Sequence, residues 1–411
     1  MVSQAKTNRM IFKILFALIF GAITGSLLTT SSIGVFALRS LITFSDVISQ
    51  FLSFFVPIAV LTLVMPSIIE LGDKASKMLI AGIVLSFISF VIIGFLCLVL
   101  GYQIVPAFLT VSKSAISSAD VVEYKGFLPQ IIAPFFDVVT AMIIAFSFGI
   151  AATKVKSDNL KKVAKEVEGC SYKILNGFFI PLLPYYIFAI IAKLSASGEL
   201  FANLYTFALV LVLIFVISNG YTLLMMFVLA KITKKSFWEV LKAYIPVYLV
   251  GFATRSSKAT IPVSLIAAEK INISREIREF GVPLLATTHM LGDMATQIFG
   301  AVAFYYIFTG EMLPISLAIS YVFLLSTILI AAPGTPGGVV VTTKPFLTSF
   351  LGFPTPAAET FFAVGIANDS FATGTNVLGD GIIVMILDAI SKKITKKSKT
   401  EKVLDSKEES K

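Results

Sequence analysis

The chain has 411 residues, 57% of them hydrophobic and 14% charged, with a net charge of +9. A soluble domain of this size would carry far more charge at its surface. The apolar excess must face hydrocarbon, so the expected class is an all-α polytopic membrane protein. One histidine and two distant cysteines, Cys97 and Cys170, leave no zinc or dithiol pattern. The positive charge is assigned to cytoplasmic loops and not to nucleic acid.

In chain order, Lys6, Arg9 and Lys13 precede an apolar run from Ile14 to Leu28. No convincing small-residue cleavage site follows and more apolar segments come at once, so this run is read as an uncleaved first span. Segments of roughly 20 apolar residues can cross the hydrocarbon. They are expected near 11–30, 43–68, 78–106, 128–153, 174–194 and 202–230. The pattern then changes. Residues 240–270 and 313–350 are each interrupted by polar, Gly or Pro residues, and a longer span follows each, near 281–309 and 355–391.

Basic residues set the topology. Lys74 and Lys77, the cluster from Lys154 to Lys165, Lys231 to Lys235 and the tail from Lys392 fall on one side only if both termini are cytoplasmic and the interrupted segments turn back. The expectation is eight transmembrane helices plus two re-entrant helical hairpins. Residues 1–239 form a scaffold, some of whose spans move with the rest. Residues 240–392 form a transport core, and 393–411 a disordered cytoplasmic tail. The two hairpin-plus-span units are entered from opposite sides, which makes an inverted repeat, and paired interrupted segments point to a transport site. The tips are placed at "TRSSKATIP" (254–262) and "AAPGTPGG" (331–338).

The last long span, "FFAVGIANDSFATGTNVLGDGIIVMI" (361–386), carries Asp369, Thr373, Asn376 and Asp380 at i, i+4, i+7 and i+11, a single helical stripe. An ionised carboxylate in this setting costs at least ~2.5 kcal/mol. Two on one face make sense beside cations. Asn376 and Asp380 offer hard oxygens for a bare ion such as Na⁺, and Asp369 can hold an ammonium group. The bland alternative is an aqueous cavity lining, or pairing with Lys or Arg from another helix.

Taken in order, "RSSKATIP", "APGTPGG" and "NVLGDG" resemble the dicarboxylate/amino acid:cation symporters, the glutamate-transporter family. The resemblance implies a homotrimer in the cell membrane whose cores move across the bilayer against a fixed scaffold. It implies that Asn376 and Asp380 bind sodium and that Asp369 binds the substrate amino group. By the same resemblance Ser256 and Ser257 receive the substrate carboxylate, and Gly334, Thr335, Pro336 and Gly337 form the gate.

The chain departs from the family pattern in three places. Ala372 stands where acidic-substrate members carry an arginine, removing the fork that would hold a side-chain carboxylate. The Asn-Met-Asp-Gly-Thr motif reads "HMLGD" (289–293), so His289 replaces a ligand asparagine and Leu291 an acidic ligand, while Met290 keeps its identity in the middle of the motif. Lys258 occupies a position usually small or hydroxylated. His289 is open to three readings: a core residue, a proton carrier titrating near neutral pH, or a direct ligand. Asp293, at i+4 on a regular helix, could orient it or replace the missing carboxylate, with unwinding expected around Gly292. Arg255 can pair with Asp369 when the site is empty, and Lys258 can do likewise or hold an anionic substrate. Asp137 in "APFFDVVTAM" is assigned a structural hydrogen bond.

The function expected is secondary active uptake of a small neutral amino acid coupled to Na⁺ or H⁺, with no cofactor. Proton-coupled carboxylate transport through Lys258 or Arg255, and an uncoupled channel or exchanger on the same fold, are the alternatives. No nucleophile–base arrangement or cofactor motif points to an enzyme.

Overall fold

The computed structural model describes residues 4–73, 77–109, 124–129, 131–133, 135–136, 138–155, 157–332 and 337–408. The expectations for Asp137 and for the gate residues Gly334, Thr335 and Pro336 lie outside the described residues. Among the described residues there are helices and no strands, as unpaired backbone groups in hydrocarbon require.

The first half comprises α1 (Gln4–Leu28), α2 (Ser32–Asp73), α3 (Lys77–Phe108), α4 (Val138–Val155), α5 (Asp158–Ile174), α6 (Ile180–Ala196) and α7 (Glu199–Ile232), with a π-helical turn, Leu175–Phe179, between α5 and α6. Most match an expected apolar run. The exception is α5, "DNLKKVAKEVEGCSYKI", which the lysine count placed in a loop. Its apolar residues recur at helical spacing, so it is a polar-faced helix laid along α2, with Ala164 and Ser171 turned inward. Cys97 is buried and Cys170 exposed, both as free thiols.

The second half comprises α8 (Phe237–Thr254), α9 (Ser257–Lys270), α10 (Arg275–Thr288), α11 (Leu291–Thr309), α12 (Ile315–Ala331), α13 (Gly338–Ser349) and α14 (Thr355–Glu408). Both interrupted segments break where expected, at Arg255–Ser256 and between Ala331 and Gly338. The span after the first hairpin is also broken, at His289 and Met290, whose backbones are extended (φ −127° and −125°). That is earlier than the Gly292 position expected for the unwinding. Proline explains part of this geometry. Pro246, Pro262, Pro283 and Pro345 each lie inside a helix of this half, where packed neighbours can satisfy the freed carbonyls. α14 runs past Lys392 to Glu408; the tail expected to be disordered contains no Gly or Pro and is rich in Lys and Glu, which are good helix formers.

Among the described residues, five stretches are long and apolar enough to cross a membrane: Ser32–Phe51, Ile80–Phe108, Tyr205–Ile232, Arg275–Thr309 and Thr355–Lys393. The last two are 83% buried inside the protein, against 28–33% for the others. The centre is therefore α10–α11 and α14, while α2, α3 and α7 turn apolar faces such as Ile88, Val99, Val216 and Leu224 outward. Helix association in hydrocarbon relies on close packing more than on expelling water. An aromatic file supplies it here. Phe207 of α7 stacks on Phe304 of α11 (5.5 Å), and Phe304 on Phe361 of α14 (5.2 Å). Each such pair contributes about 0.5–1.5 kcal/mol beyond its buried area. α3 and α7 thus pack with the second half, whereas α1, α2, α4 and α6 pack mostly among themselves and touch the second half at fewer places.

Candidate functional site

The stripe on α14 is buried along its whole length: Asp369, Thr373, Asn376 and Asp380 are each 3–6% exposed. Each of its polar residues has a different partner, and the partners come from every break in the second half.

Asp369 is where the breaks of the two interrupted segments meet. Arg255 Nε donates to Asp369 Oδ2 at 2.7 Å, and the backbone N–H of Gly337 donates to the same oxygen at 2.9 Å. Arg255 Nη2 also reaches the Ile366 carbonyl at 3.0 Å. Arg255 sits in the left-handed region (φ 54°) as the residue that ends α8, a conformation costing a non-glycine residue about 1–2 kcal/mol. The ion pair offsets that cost and neutralises two groups that are 4% and 5% exposed. Thr373 turns its hydroxyl back onto the Asp369 carbonyl (2.8 Å).

Ser256 begins α9, and its carbonyl accepts from the Ala259 N–H and the Thr254 hydroxyl. Ser257 is buried, with its carbonyl bonded by the Thr260 hydroxyl. Lys258 is half-buried on the first turn of α9. Ala372 is 3% exposed. One turn beyond Asp369 on α14, then, there is a methyl group and no guanidinium.

Asn376 caps α11. Its Oδ1 accepts the N–H groups of Gly292 (2.7 Å) and Asp293 (3.3 Å), and its Nδ2 donates to Asp293 Oδ2 (2.6 Å). A buried helix start leaves N–H groups needing acceptors; here a side chain from another helix supplies one. Asp293 is 5% exposed. Met290, 2% exposed, lies in the extended link and gives its carbonyl to the Met294 N–H.

Asp380 is held by His289. Nδ1 lies 3.0 Å from Asp380 Oδ1, and Nε2 lies 3.0 Å from Ser89 Oγ on α3. The ring stacks on Phe90 at 5.4 Å and 11°. With Asp380 ionised, Nδ1–H donates to it; Nε2 then accepts the Ser89 hydroxyl when the ring is neutral and donates to it when the ring is charged. Gly379 makes room for this ring: a Cβ there would lie 2.9 Å from His289 Cε1. Leu291 is 1% exposed and packs beside the ring against the same face of Gly379.

Two expectations about neighbours change with this geometry. Asn376 and Asp380, read from their spacing as one ligand pair, are engaged by different groups. Asp293 does not orient His289, because the break at 289–290 interrupts the i+4 relation and turns the two residues to different partners. Ser89, Phe90 and the capping N–H of Gly292 belong to the site and had no sequence signal of their own. Asn368, in plain view beside Asp369, donates to the Thr296 hydroxyl at 2.8 Å and ties α14 to α11.

The residues along the stripe and its partners include two carboxylates, Asp293 and Asp380, and a carboxamide, all hard oxygen donors; no group of three or more His, Cys, Asp or Glu that could hold a metal ion occurs among the described residues. Two buried oxygens nearby make no hydrogen bond. One is Gln297 Oε1, one turn along α11 from Asp293. The other is the Tyr244 hydroxyl on α8, within the cluster that packs α8 on α14 around Val377 and Leu378. Unsatisfied buried oxygens are rare without a functional or solvent partner.

The human excitatory amino acid transporter 5 is 33% identical over 183 residues, covering 42% of this chain and 31% of the relative. The human neutral amino acid transporter A is 30% identical over 177 residues (41% and 32%), and excitatory amino acid transporter 1 of Ambystoma tigrinum 28% over 167 residues (39% and 30%). The matched stretch thus spans about a third of each relative's length. The family model described as the sodium:dicarboxylate symporter family matches residues 10–390, nearly the whole sequence. The chain therefore belongs to the sodium:dicarboxylate symporter family, a family of transporters and not of enzymes.

Proposed function

We propose that this protein is a secondary active symporter that carries a small neutral amino acid into the cell with Na⁺, and that its coupling includes a proton at His289. The observation that carries the reading is the triple meeting at Asp369. One buried carboxylate is reached by the first hairpin through Arg255 and by the second through Gly337, so a ligand bound there engages both hairpins at once.

In this reading the substrate ammonium takes Asp369, and Ser256, Ser257 and the Thr335–Gly337 tip surround its carboxylate. Thr373 and Asn376 complete the wall. Asp380, Asn376 and the Met290 backbone supply the sodium ligands, with Asp293 in place of the acid missing at Leu291. Ala372 leaves a distal carboxylate uncompensated, which favours serine, alanine or threonine over aspartate. Arg255 is already committed to Asp369 and Ile366, so carboxylate transport through it would first have to break that pair. The topology proposed is eight crossings and two re-entrant hairpins with both termini cytoplasmic. The assembly is a homotrimer in which α3 and α7 to α14 move against α1, α2 and α4 to α6.

Uptake into proteoliposomes tests this. Labelled serine or alanine should accumulate under an inward Na⁺ gradient, and a competition panel should rank neutral amino acids above aspartate and glutamate. Accumulation without any cation gradient, or tight aspartate competition, would overturn the reading.

A further inference from the structure

A second set of buried charges lies away from the substrate site, where the transport unit meets the scaffold. Lys344 of α13 is 8% exposed, and its Nζ donates to Ser49 Oγ of α2 at 2.8 Å and to the Tyr186 hydroxyl of α6. The ammonium also sits 4.8 Å from the Tyr186 ring centroid. Glu359 of α14, also 8% exposed, faces Lys193 of α6 at 3.7 Å. Asp46, one turn before Ser49 on α2, is half-buried within electrostatic range of Lys344.

Glu359 acts on Lys344 more strongly than Asp46 does and moves with it, so the contacts that cross the seam are the two hydroxyls and Asp46 on Lys344 and Lys193 on Glu359. Buried charges add little net stability but discriminate strongly between registers, because a charge moved off its partner stays desolvated and unpaired. A slide of one helical turn, about 5.4 Å, would strip Lys344 of both hydroxyls and separate Glu359 from Lys193 together. Intramembrane charges are retained where function needs them, and the substrate site uses neither of these.

We propose that Lys344 and Glu359 form a charge interlock with Ser49, Asp46, Tyr186 and Lys193 that selects this one register of the core against the scaffold. The core must release both contacts to move. This rests on the moving-core reading given above.

The test is a distance measurement by spin labels at Ile19→Cys on α1 and Ile266→Cys on α9, both lipid- or solvent-facing positions, in a Cys170→Ser background reconstituted in liposomes. Glu359→Lys, which sets lysine against Lys193 and beside Lys344, should raise the ratio of displaced to docked population by about tenfold or more. Adding Lys193→Glu should restore the original distribution, since core lysines then face scaffold acids. Glu359→Gln and Lys344→Met are milder variants expected to shift the ratio in the same direction, and they stand in should Glu359→Lys fail to assemble. A distribution that responds to serine and Na⁺ but is unmoved by these variants, or is not rescued by Lys193→Glu, overturns the interlock alone. A distribution that nothing moves, substrate and ions included, overturns the moving core and the interlock with it.

Discussion

Arg255→Gln tests whether the arginine is an internal stand-in for substrate. The guanidinium and the Gly337 N–H share one oxygen of Asp369. A substrate ammonium can take that oxygen only by displacing Arg255. A hydrogen bond to a charged group contributes about 1.5–3 kcal/mol, and this pair is almost fully buried, with side chains 3% and 6% exposed. Binding therefore gives up that amount before it gains its own. Glutamine keeps an N–H donor at the position of the Arg255 Nε, which bonds Asp369, but it is too short to reach the Ile366 carbonyl and carries no charge. The substrate affinity should rise by about 10–100-fold, the same free energy expressed as a dissociation constant. The unliganded protein should lose thermal stability, because Asp369 then has no counter-charge. Isothermal calorimetry with serine or alanine at fixed Na⁺ reads the first effect, and the melting temperature with and without ligand reads the second. Weaker binding with unchanged apo stability would refute the competition argument and mean that Arg255 contacts the substrate itself.

Three further outcomes follow from the same geometry. Asp380→Asn should abolish Na⁺-dependent uptake in proteoliposomes while the protein still inserts, since it removes the carboxylate that His289 orients; wild-type uptake with unchanged Na⁺ dependence would show that the ion binds elsewhere. His289→Gln should remove the response of uptake to an inward pH gradient and leave substrate binding measurable. A pH-indifferent wild type that moves three sodium ions per substrate would exclude a proton on this ring. Gly292→Ala would place a Cβ 2.3 Å from the Ala372 carbonyl; because a backbone atom cannot step aside, α11 and α14 should part, lowering stability by about 1–3 kcal/mol and weakening Na⁺ binding through the displaced Asn376 cap, both readable in one thermal-shift titration.

How much of the site was readable beforehand depended on what kind of signal each residue left. The stripe from Asp369 to Asp380 was legible because helical periodicity alone puts those positions on one face, and carboxylates in an apolar span demand partners. The two hairpin breaks were legible because Pro, Gly and hydroxylated residues interrupt otherwise apolar runs. The third break was expected around Gly292 in "TTHMLGDM", and only packing against α14 and α3 shows that the backbone opens earlier, at His289–Met290. Helix α5 was hidden because its lysines marked it as cytoplasmic and its modest apolar stripe was outweighed.

The sequence by itself determined the membrane class, the interrupted second half and the identity of the buried ionisable residues, all of which follow from local composition and period. Partnership was decided only in three dimensions. Asn376 and Asp380, one turn apart on α14, diverge to the N-terminus of α11 and to His289. Arg255 and Gly337, from breaks 82 positions apart in the numbering, converge on one oxygen of Asp369. Lys344 finds Ser49 and Tyr186, residues nothing in its own neighbourhood announces. Each of these pairings is a contact between distant segments, set by how broken helices cross. A one-dimensional pattern records which face a residue occupies, and only the packed structure records what stands opposite it.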